Sequence, residues 1–351
     1  MRANNIGFIF QALLAALFFG ASAPISKLLL GDVHPVLMAA FLYLGSGIGI
    51  SLTRLLQRIS PNEREAEIKS PDIKWLAGAI ISGGIAAPII LMISLKNTPA
   101  STASLLLNFE CVATTLIAML IFKEAISRRA WIAIAVITLA SILLSTNFGN
   151  SWGMSLGAFG VILACVLWGV DNNFTRNISA KDPLTIVAWK GLISGTFSLL
   201  LGLLLGQRLP TLTSILSILL LGFLSYGLST MLFIYSMRGL GAARTSALYG
   251  TAPLAGVLLS IVILGELPSL LFIMAAIIMV GGALLLINEE HAHSHVHTVL
   301  FHEHSHRHDD HAHKHDQVDG VHSHEHEHPA EEHEHGHMPD IHHRHGHEDE
   351  K

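Results

Sequence analysis

Three charged residues stand inside long apolar stretches: Glu110 in LLLNFECVATT, Lys190 in TIVAWKGLI, and Asp171 at the head of the run Asp171-Asn172-Asn173. An ionisable side chain deep in a membrane span costs about 2.5–3.5 kcal/mol or more on insertion scales, so each one needs a reason. For Glu110 the reason would be a proton- or cation-binding carboxylate in a central cavity, its protonation coupled to a change of access. The alternative is a buried ion pair with Lys190 that only holds two helices together. Asp171 lies nearer the end of its stretch, where it could pair with Lys190 or with Arg176. Asn108, Asn172 and Asn173 could hydrogen-bond a solute or bridge helices.

A second chemistry is concentrated at the C-terminus. From His291 the chain alternates His with Ala, Ser, Glu, Asp and Gly, as in HAHSHVH, HEHSHRH, HAHKH and HSHEHEH. Neutral imidazole is a borderline-soft ligand for divalent transition metals. His291, His293, His295, His302, His304, His306, His308, His311, His313, His322, His324, His326 and His328 are therefore candidate ligands for Zn, Ni or Co. Such a tract cannot bury an apolar core and is expected to be disordered, with a charge that varies as His titrates. Residues 289–351 hold 22 of the 23 His and 16 acids against 4 Lys and Arg, a formal −12. The first 288 residues hold 17 Lys and Arg against 10 acids, a formal +7, so the overall −5 describes neither part.

No enzyme is indicated. The apolar part has no Gly-rich phosphate loop, no His pair on a helix and no nucleophile–His dyad. His34, its one histidine, falls in a short connector and reads as solvated. Cys111 and Cys165 lie in apolar runs without metal or redox spacing and read as small core residues. Glu124 and Glu266 close their runs, near water, and read as structural, while Tyr226, Tyr235, Tyr249 and Trp168 read as packing. No cofactor is required.

The elements that must position these residues follow from length. The chain is 51% hydrophobic and 13% charged, against about a quarter charged for a soluble chain. A helix needs roughly 20 apolar residues to cross the hydrocarbon core. Ten runs qualify: 6–30, 34–57, 73–95, 99–122, 129–146, 154–175, 183–206, 211–237, 243–264 and 268–288. Without period-two alternation such runs are helices. Glycine pairs at helix-contact spacing (Gly45 with Gly49, Gly191 with Gly195, Gly202 with Gly206) would let backbones approach. The N-terminus imitates a cleavable signal peptide, with Arg2, an apolar run and Ala21-Ser22-Ala23, but Pro24 directly after the site disfavours cleavage. A retained first span is expected.

Sliding the chain by 142 residues aligns 95–144 with 237–286: Ala100 falls on Ala242, Glu124 on Glu266 and Leu143-Leu144 on Leu285-Leu286. Phe19-Gly20 and Trp168-Gly169 occupy matching places earlier in each half, with Pro35 and Pro183 opening the next span. Five spans per repeat is an odd number, so the second copy lies upside down if every span crosses. Lys and Arg agree: with a cytoplasmic N-terminus, thirteen lie in inside segments and three (Lys27, Lys96, Arg208) outside. The expected fold is an all-α membrane protein of ten transmembrane helices in two inverted five-helix repeats. Residues 1–147 form the first, 148–288 the second, and 289–351 the disordered tail. Both termini face the cytoplasm, and the inner (plasma) membrane is the expected location.

With these motifs the sequence resembles the drug/metabolite transporter superfamily, specifically its EamA-type members with two five-span repeats. The resemblance covers residues 6–288. It rests on Phe18-Phe19-Gly20, Leu167-Trp168-Gly169, Lys123-Glu124, Gly265-Glu266 and Pro253, with Cys111 where the second half has its proline. It implies a ten-helix fold and transport of small organic solutes. The leading expectation is a secondary transporter, an exporter of small metabolites or drugs, coupled to protons or exchange. Its solute would lie around Glu110, Lys190, Asp171, Asn172, Asn173 and Asn108. A transition-metal exporter with the tail as collector, and a non-transporting sensor driven by tail metallation, are the alternatives. Partners are the lipid bilayer, a small-molecule solute, divalent transition metals at the tail and a second copy of the chain; nucleic acid is not among them.

Overall fold

The computed structural model describes residues 2–56, 66–122, 128–147, 153–154, 156–178, 181–240, 245, 248–287 and, in the tail, 291–296, 300–306, 322–328 and 332–337. The fold is all-α. Its helices are α1 (Ile6–Leu29), α2 (Pro35–Leu56), α3 (Ser70–Lys96), α4 (Ala100–Ile121) and α5 (Arg128–Ser145), followed by α6 (Leu156–Arg176), α7 (Pro183–Leu204), α8 (Leu212–Ser236), α9 (Ala252–Leu264) and α10 (Leu270–Ile287). Seven of them are long and apolar enough to cross a bilayer, and α5, α9 and α10 carry shorter apolar cores. The outward faces are apolar: Leu200, Leu204, Leu220, Val262 and Ile277 are all exposed. Water would penalise such a surface, whereas hydrocarbon is its natural solvent.

The packing pairs elements of one half with elements of the other. Helix α2 lies along α7, and α5 along α10. The pairs α1–α8 and α3–α6 are equivalent under the internal repeat, as are α1–α9 and α4–α6. Two glycines make the last equivalence concrete. A Cβ on Gly20 would lie 2.3 Å from the Ala252 carbonyl oxygen and 3.0 Å from the Ala255 side chain. One on Gly169 would lie 2.9 Å from Ala113 and from the Thr114 nitrogen. Ala113 and Thr114 are Ala255 and Gly256 shifted by the repeat offset, so the phenylalanine-glycine and tryptophan-glycine motifs serve the same contact twice.

The glycine pairs divide. Gly45 and Gly49 place α2 against Leu219 and Phe223 of α8, and Gly191 and Gly195 place α7 against α2. Gly202 meets Leu37, but Gly206 has nothing within 4 Å and takes φ 71°, so it ends α7 rather than packing it. Cys165 is buried as expected; Cys111 is exposed, contrary to the core reading. Its apolar run put it in a helix, and only the packing of α4 decides which face it takes.

Besides the turn at Ala21 within α1, four irregularities interrupt the described helices. Helix α3 passes through a π-helical turn at Ile80–Ala86, and α8 through another at Phe223–Leu228. Pro88 follows the first turn, where its missing N–H and its ring leave the preceding carbonyls without α-helical partners. Helix α4 breaks at Leu107 and Asn108 between Ala100–Leu106 and Phe109–Phe122. A turn at Gly250 and Thr251 interrupts the helix entering α9. Between the halves, Thr146–Asn147 pairs with Gly153–Met154.

In the tail the alternation of His with small or acidic residues is also a period-two pattern, which an extended strand displays. The described backbone pairs His291–Val296 with Glu332–His337 and Leu300–His306 with His322–His328, both antiparallel. The side chains of all thirteen candidate metal ligands, and Glu124, lie outside the described residues.

Candidate functional site

The break in α4 sets up the site. Three short-range bonds replace α-helical ones across it: Asn108 N–H to Leu105 O (3.2 Å), Glu110 N–H to Leu107 O (3.0 Å) and Cys111 N–H to Asn108 O (3.2 Å). The Cys165 thiol, from α6, lies 3.6 Å from the Leu106 carbonyl and 4.0 Å from that of Leu107. Broken helices near the middle of a span recur where membrane proteins bind solutes and ions. Glu110 stands in the first turn after the break.

Glu110 is held by a neutral partner. The Asn172 amide donates to its Oε1 at 2.8 Å and to the Thr114 hydroxyl at 3.1 Å, and Thr114 donates back to the Glu110 carbonyl at 2.8 Å. Thr114 sits one helical turn beyond Glu110 on the same face, a spacing that could have marked it in the sequence. The carboxylate has no cation within ion-pair distance among the described residues.

Lys190 pairs instead with Asp171, so of the two expected pairings for that lysine the structure forms this one and not the pair with Glu110. The Asp171 side chain is 3% exposed and that of Lys190 20%. The other Asp171 oxygen accepts from the Thr175 hydroxyl at 3.0 Å. A buried pair of this kind needs its remaining lone pairs filled, and Thr175 does part of that.

Gly83, in the π-helical turn of α3, is the floor under Asp171. A Cβ there would lie 1.9 Å from Asp171 Oδ2, so only glycine leaves room for the carboxylate. The Gly83 carbonyl accepts from the Tyr43 hydroxyl at 2.6 Å and from the Trp168 indole at 3.0 Å. Three helices (α2, α3, α6) thus converge on one backbone oxygen. Tyr43 and Gly83 are site residues that sequence reasoning missed; Tyr43 carried a signal, being the single tyrosine of the first half.

The remaining asparagines bond to backbone carbonyls. Asn173 donates to Thr114 O at 3.0 Å and to Gly169 O at 2.8 Å, tying α6 to α4. Asn108 turns back on its own helix, to Leu105 O at 3.3 Å. Of the six residues expected at the site, Glu110 with Asn172 and Asp171 with Lys190 form two adjacent couples, Asn173 braces them and Asn108 caps the break.

Aromatic rings continue the site on the other side. Tyr43 and Tyr226 have centroids 5.6 Å apart, Phe19 lies 6.1 Å from Tyr226 and 5.6 Å from Tyr249, and Phe233 lies 4.9 Å from Tyr249. These are offset and edge contacts of the kind that aromatic pairs prefer. The Glu110 carboxylate is within electrostatic range of the Tyr43, Tyr226 and Tyr249 hydroxyls.

The α3–α4 connection is gripped from two sides. The Lys27 ammonium, at the end of α1, donates to Leu95 O (2.5 Å), Lys96 O (2.9 Å) and Thr98 O (3.0 Å). The two oxygens of Glu266 accept from the Ala100 and Ser101 N–H groups, both at 2.8 Å. A cation therefore sits on the carbonyl end of α3 and an anion on the amide end of α4, the signs that each terminus favours. Glu266 is structural, as its position near water implied, and it joins the two halves.

Among the described residues, ten apolar helices paired between halves, with charged and polar groups gathered at a helix break, make an integral membrane protein with a polar site inside it. The chain belongs to the EamA-like transporter family, whose model matches residues 6–146 and again 155–288. It is 29% identical over 286 residues to an uncharacterized transporter of Methanothermobacter thermautotrophicus, covering 78% of this chain and 83% of that one. It is 23% identical over 278 residues to the uncharacterized inner membrane transporter YedA of Escherichia coli, covering 76% and 86%. A shorter match, 26% over 197 residues, joins 52% of it to 66% of a protein of Salmonella typhimurium named a probable amino-acid metabolite efflux pump. A solved crystal structure shares the fold, with a TM-score of 0.57 over 80% of this chain and 95% of that one at 20% identity.

Proposed function

We propose that the protein is a secondary transporter that exports small organic metabolites or drugs by alternating access, with Glu110 as the site that a proton and the solute occupy in turn. The observation that carries this reading is the state of Glu110: a carboxylate beside a helix break, held by one amide and, among the described residues, in no ion pair. Such a group can exchange a proton for a solute without dismantling an ion pair. The relative named as an amino-acid metabolite efflux pump supports an organic solute and outward movement. The excess of Lys and Arg in alternate connectors supports cytoplasmic termini and an inverted second repeat, and YedA's name supports the inner membrane. We further propose that the tail histidines bind Zn, Ni or Co, because their density lets several imidazoles reach one ion.

The test is solute-driven proton movement in proteoliposomes loaded with a pH dye and challenged with a panel of amines, amino acids, nucleosides and sugars. At least one solute should move protons through the wild-type protein. Glu110→Gln should lower that signal by about a hundredfold, the scale of losing roughly 2.7 kcal/mol of site-specific interaction. Undiminished proton movement in the variant would remove Glu110 from the coupling.

A further inference from the structure

The proposed site carries three charges, but only one is available to a solute. Lys190 and Asp171 neutralise each other, with Asp171 buried against Gly83 and its second oxygen filled by Thr175. Glu110 is half-buried and meets the exposed Asn172, whose amide leaves the carboxylate charge in place. From Asp171 the site runs through Gly83 to Tyr43, and from Tyr43 to Tyr226, Phe19 and Tyr249 by ring contacts of 5.6–6.1 Å. Aromatic faces attract cations, most strongly where water is excluded. A carboxylate group on the solute would meet the Glu110 oxygens and find the neighbouring Lys190 ammonium already paired with Asp171, with no other cation beside Glu110 among the described residues.

We infer that this site selects an organic ammonium with an apolar, preferably aromatic, body and no carboxylate of its own: an amine rather than an amino acid or an acid. The inference deepens the proposed transport function by naming its solute class. Glu110 receives the ammonium, the tyrosine and phenylalanine rings of α1, α2, α8 and the approach to α9 receive the body, and the Asp171–Lys190 pair denies the amino acid's second charge a partner. The relevant asymmetry is internal: freeing Lys190 would give the same group of side chains a cation for a zwitterion's carboxylate.

Three probes share one body and differ only in charge: phenethylamine is a cation, phenylalanine a zwitterion and hydrocinnamate an anion. Calorimetric titration of the purified full-length protein should rank them in that order, with phenethylamine about tenfold or more tighter than phenylalanine, a margin of roughly 1.4 kcal/mol. Glu110→Gln should erase the preference for the amine. Asp171→Asn should raise phenylalanine affinity relative to phenethylamine by leaving Lys190 free. Equal or tighter binding of phenylalanine or hydrocinnamate by the wild-type protein overturns the inference, and so does the absence of binding by all three. The wild-type ranking needs no variant to fold, and it is read without transport. Amine binding with no flux in vesicles would sink the transport reading and leave the solute class standing, whereas flux of an acid would do the reverse.

Discussion

In the first half, α3 passes through a π-helical turn at Ile80–Ala86 and α4 breaks at Leu107–Asn108; in the second, α8 and the segment entering α9 do the same at Phe223–Leu228 and Gly250–Thr251. With the repeat offset of 142, the two π turns coincide and the two breaks fall within one residue of each other. The side chains around them do not repeat. Glu110 corresponds to Ala252 in the same register. Aligned on Phe19 and Trp168, Asp171 corresponds to Ser22; aligned on Pro35 and Pro183, Lys190 corresponds to Leu42. One wall of the site is therefore charged and the other aromatic, on backbones bent alike. Duplication preserved the joints, and divergence at three positions made the chemistry.

The sharpest way to break this comparison is to remove the charges that distinguish the halves. Lys190→Leu alone copies the first half at one position and leaves Asp171 buried without a counter-charge. It should destabilise the detergent-solubilised protein by about 3–5 kcal/mol, read as a fall in its unfolding midpoint. Lys190→Leu with Asp171→Ser copies the first half at both positions and should recover most of that loss, since an apolar replacement of a buried pair is often neutral. A double variant as unstable as the single one would mean that the pair does more than satisfy itself.

The next effect tests whether the halves share a contact. Gly20→Ala and Gly169→Ala each drive a methyl into the facing backbone, of α9 and α4 respectively. Overpacking of this kind typically costs about 1–3 kcal/mol. The two losses should match within about 0.5 kcal/mol and add in the double variant, because distant sites are independent. A large loss at one glycine and none at the other would show that only one of the two motifs still carries the packing.

How much of this was legible beforehand follows from where each signal resides. Helix number and the position of Glu110, Asp171 and Lys190 are matters of local composition: a charged residue in an apolar run is visible without knowing its neighbours. The choice of Asp171 over Glu110 as the partner of Lys190 is not local, because it depends on how α6 and α7 face each other. The π turn that brings Gly83 beneath Asp171 has no pattern in Ile80-Ile81-Ser82-Gly83-Gly84 that distinguishes it from a flexible α-helix. Lys27 illustrates the same limit. Counted among the outside charges, it folds back onto three carbonyls of the neighbouring connection, a destination its own helix does not reveal. The thirteen candidate metal ligands stand out by the density of histidine in the tail, and density says nothing about which of them share an ion.

The smallest expected effect sharpens the comparison at its oldest landmark, where Trp168 stands in one half and Phe19 in the other. Trp168→Phe makes the two motifs identical and removes the indole N–H from Gly83 O, while leaving a ring of similar shape. Because the Tyr43 hydroxyl still donates to that carbonyl, no buried acceptor is orphaned. The cost should be about 0.5–1.5 kcal/mol, the net value of one hydrogen bond, read from the unfolding midpoint. Tyr43→Phe should cost a similar amount for the same reason. The double variant should lose more than the sum, since the Gly83 carbonyl then has neither donor in a site closed to water, and an unmet buried acceptor costs about 1–3 kcal/mol. Simple additivity would mean that the π turn relaxes back toward an α-helix once both donors are gone and finds its partner within α3. In that case the turn is held open by Tyr43 and Trp168, and the likeness between α3 and α8 is maintained by different contacts in each half.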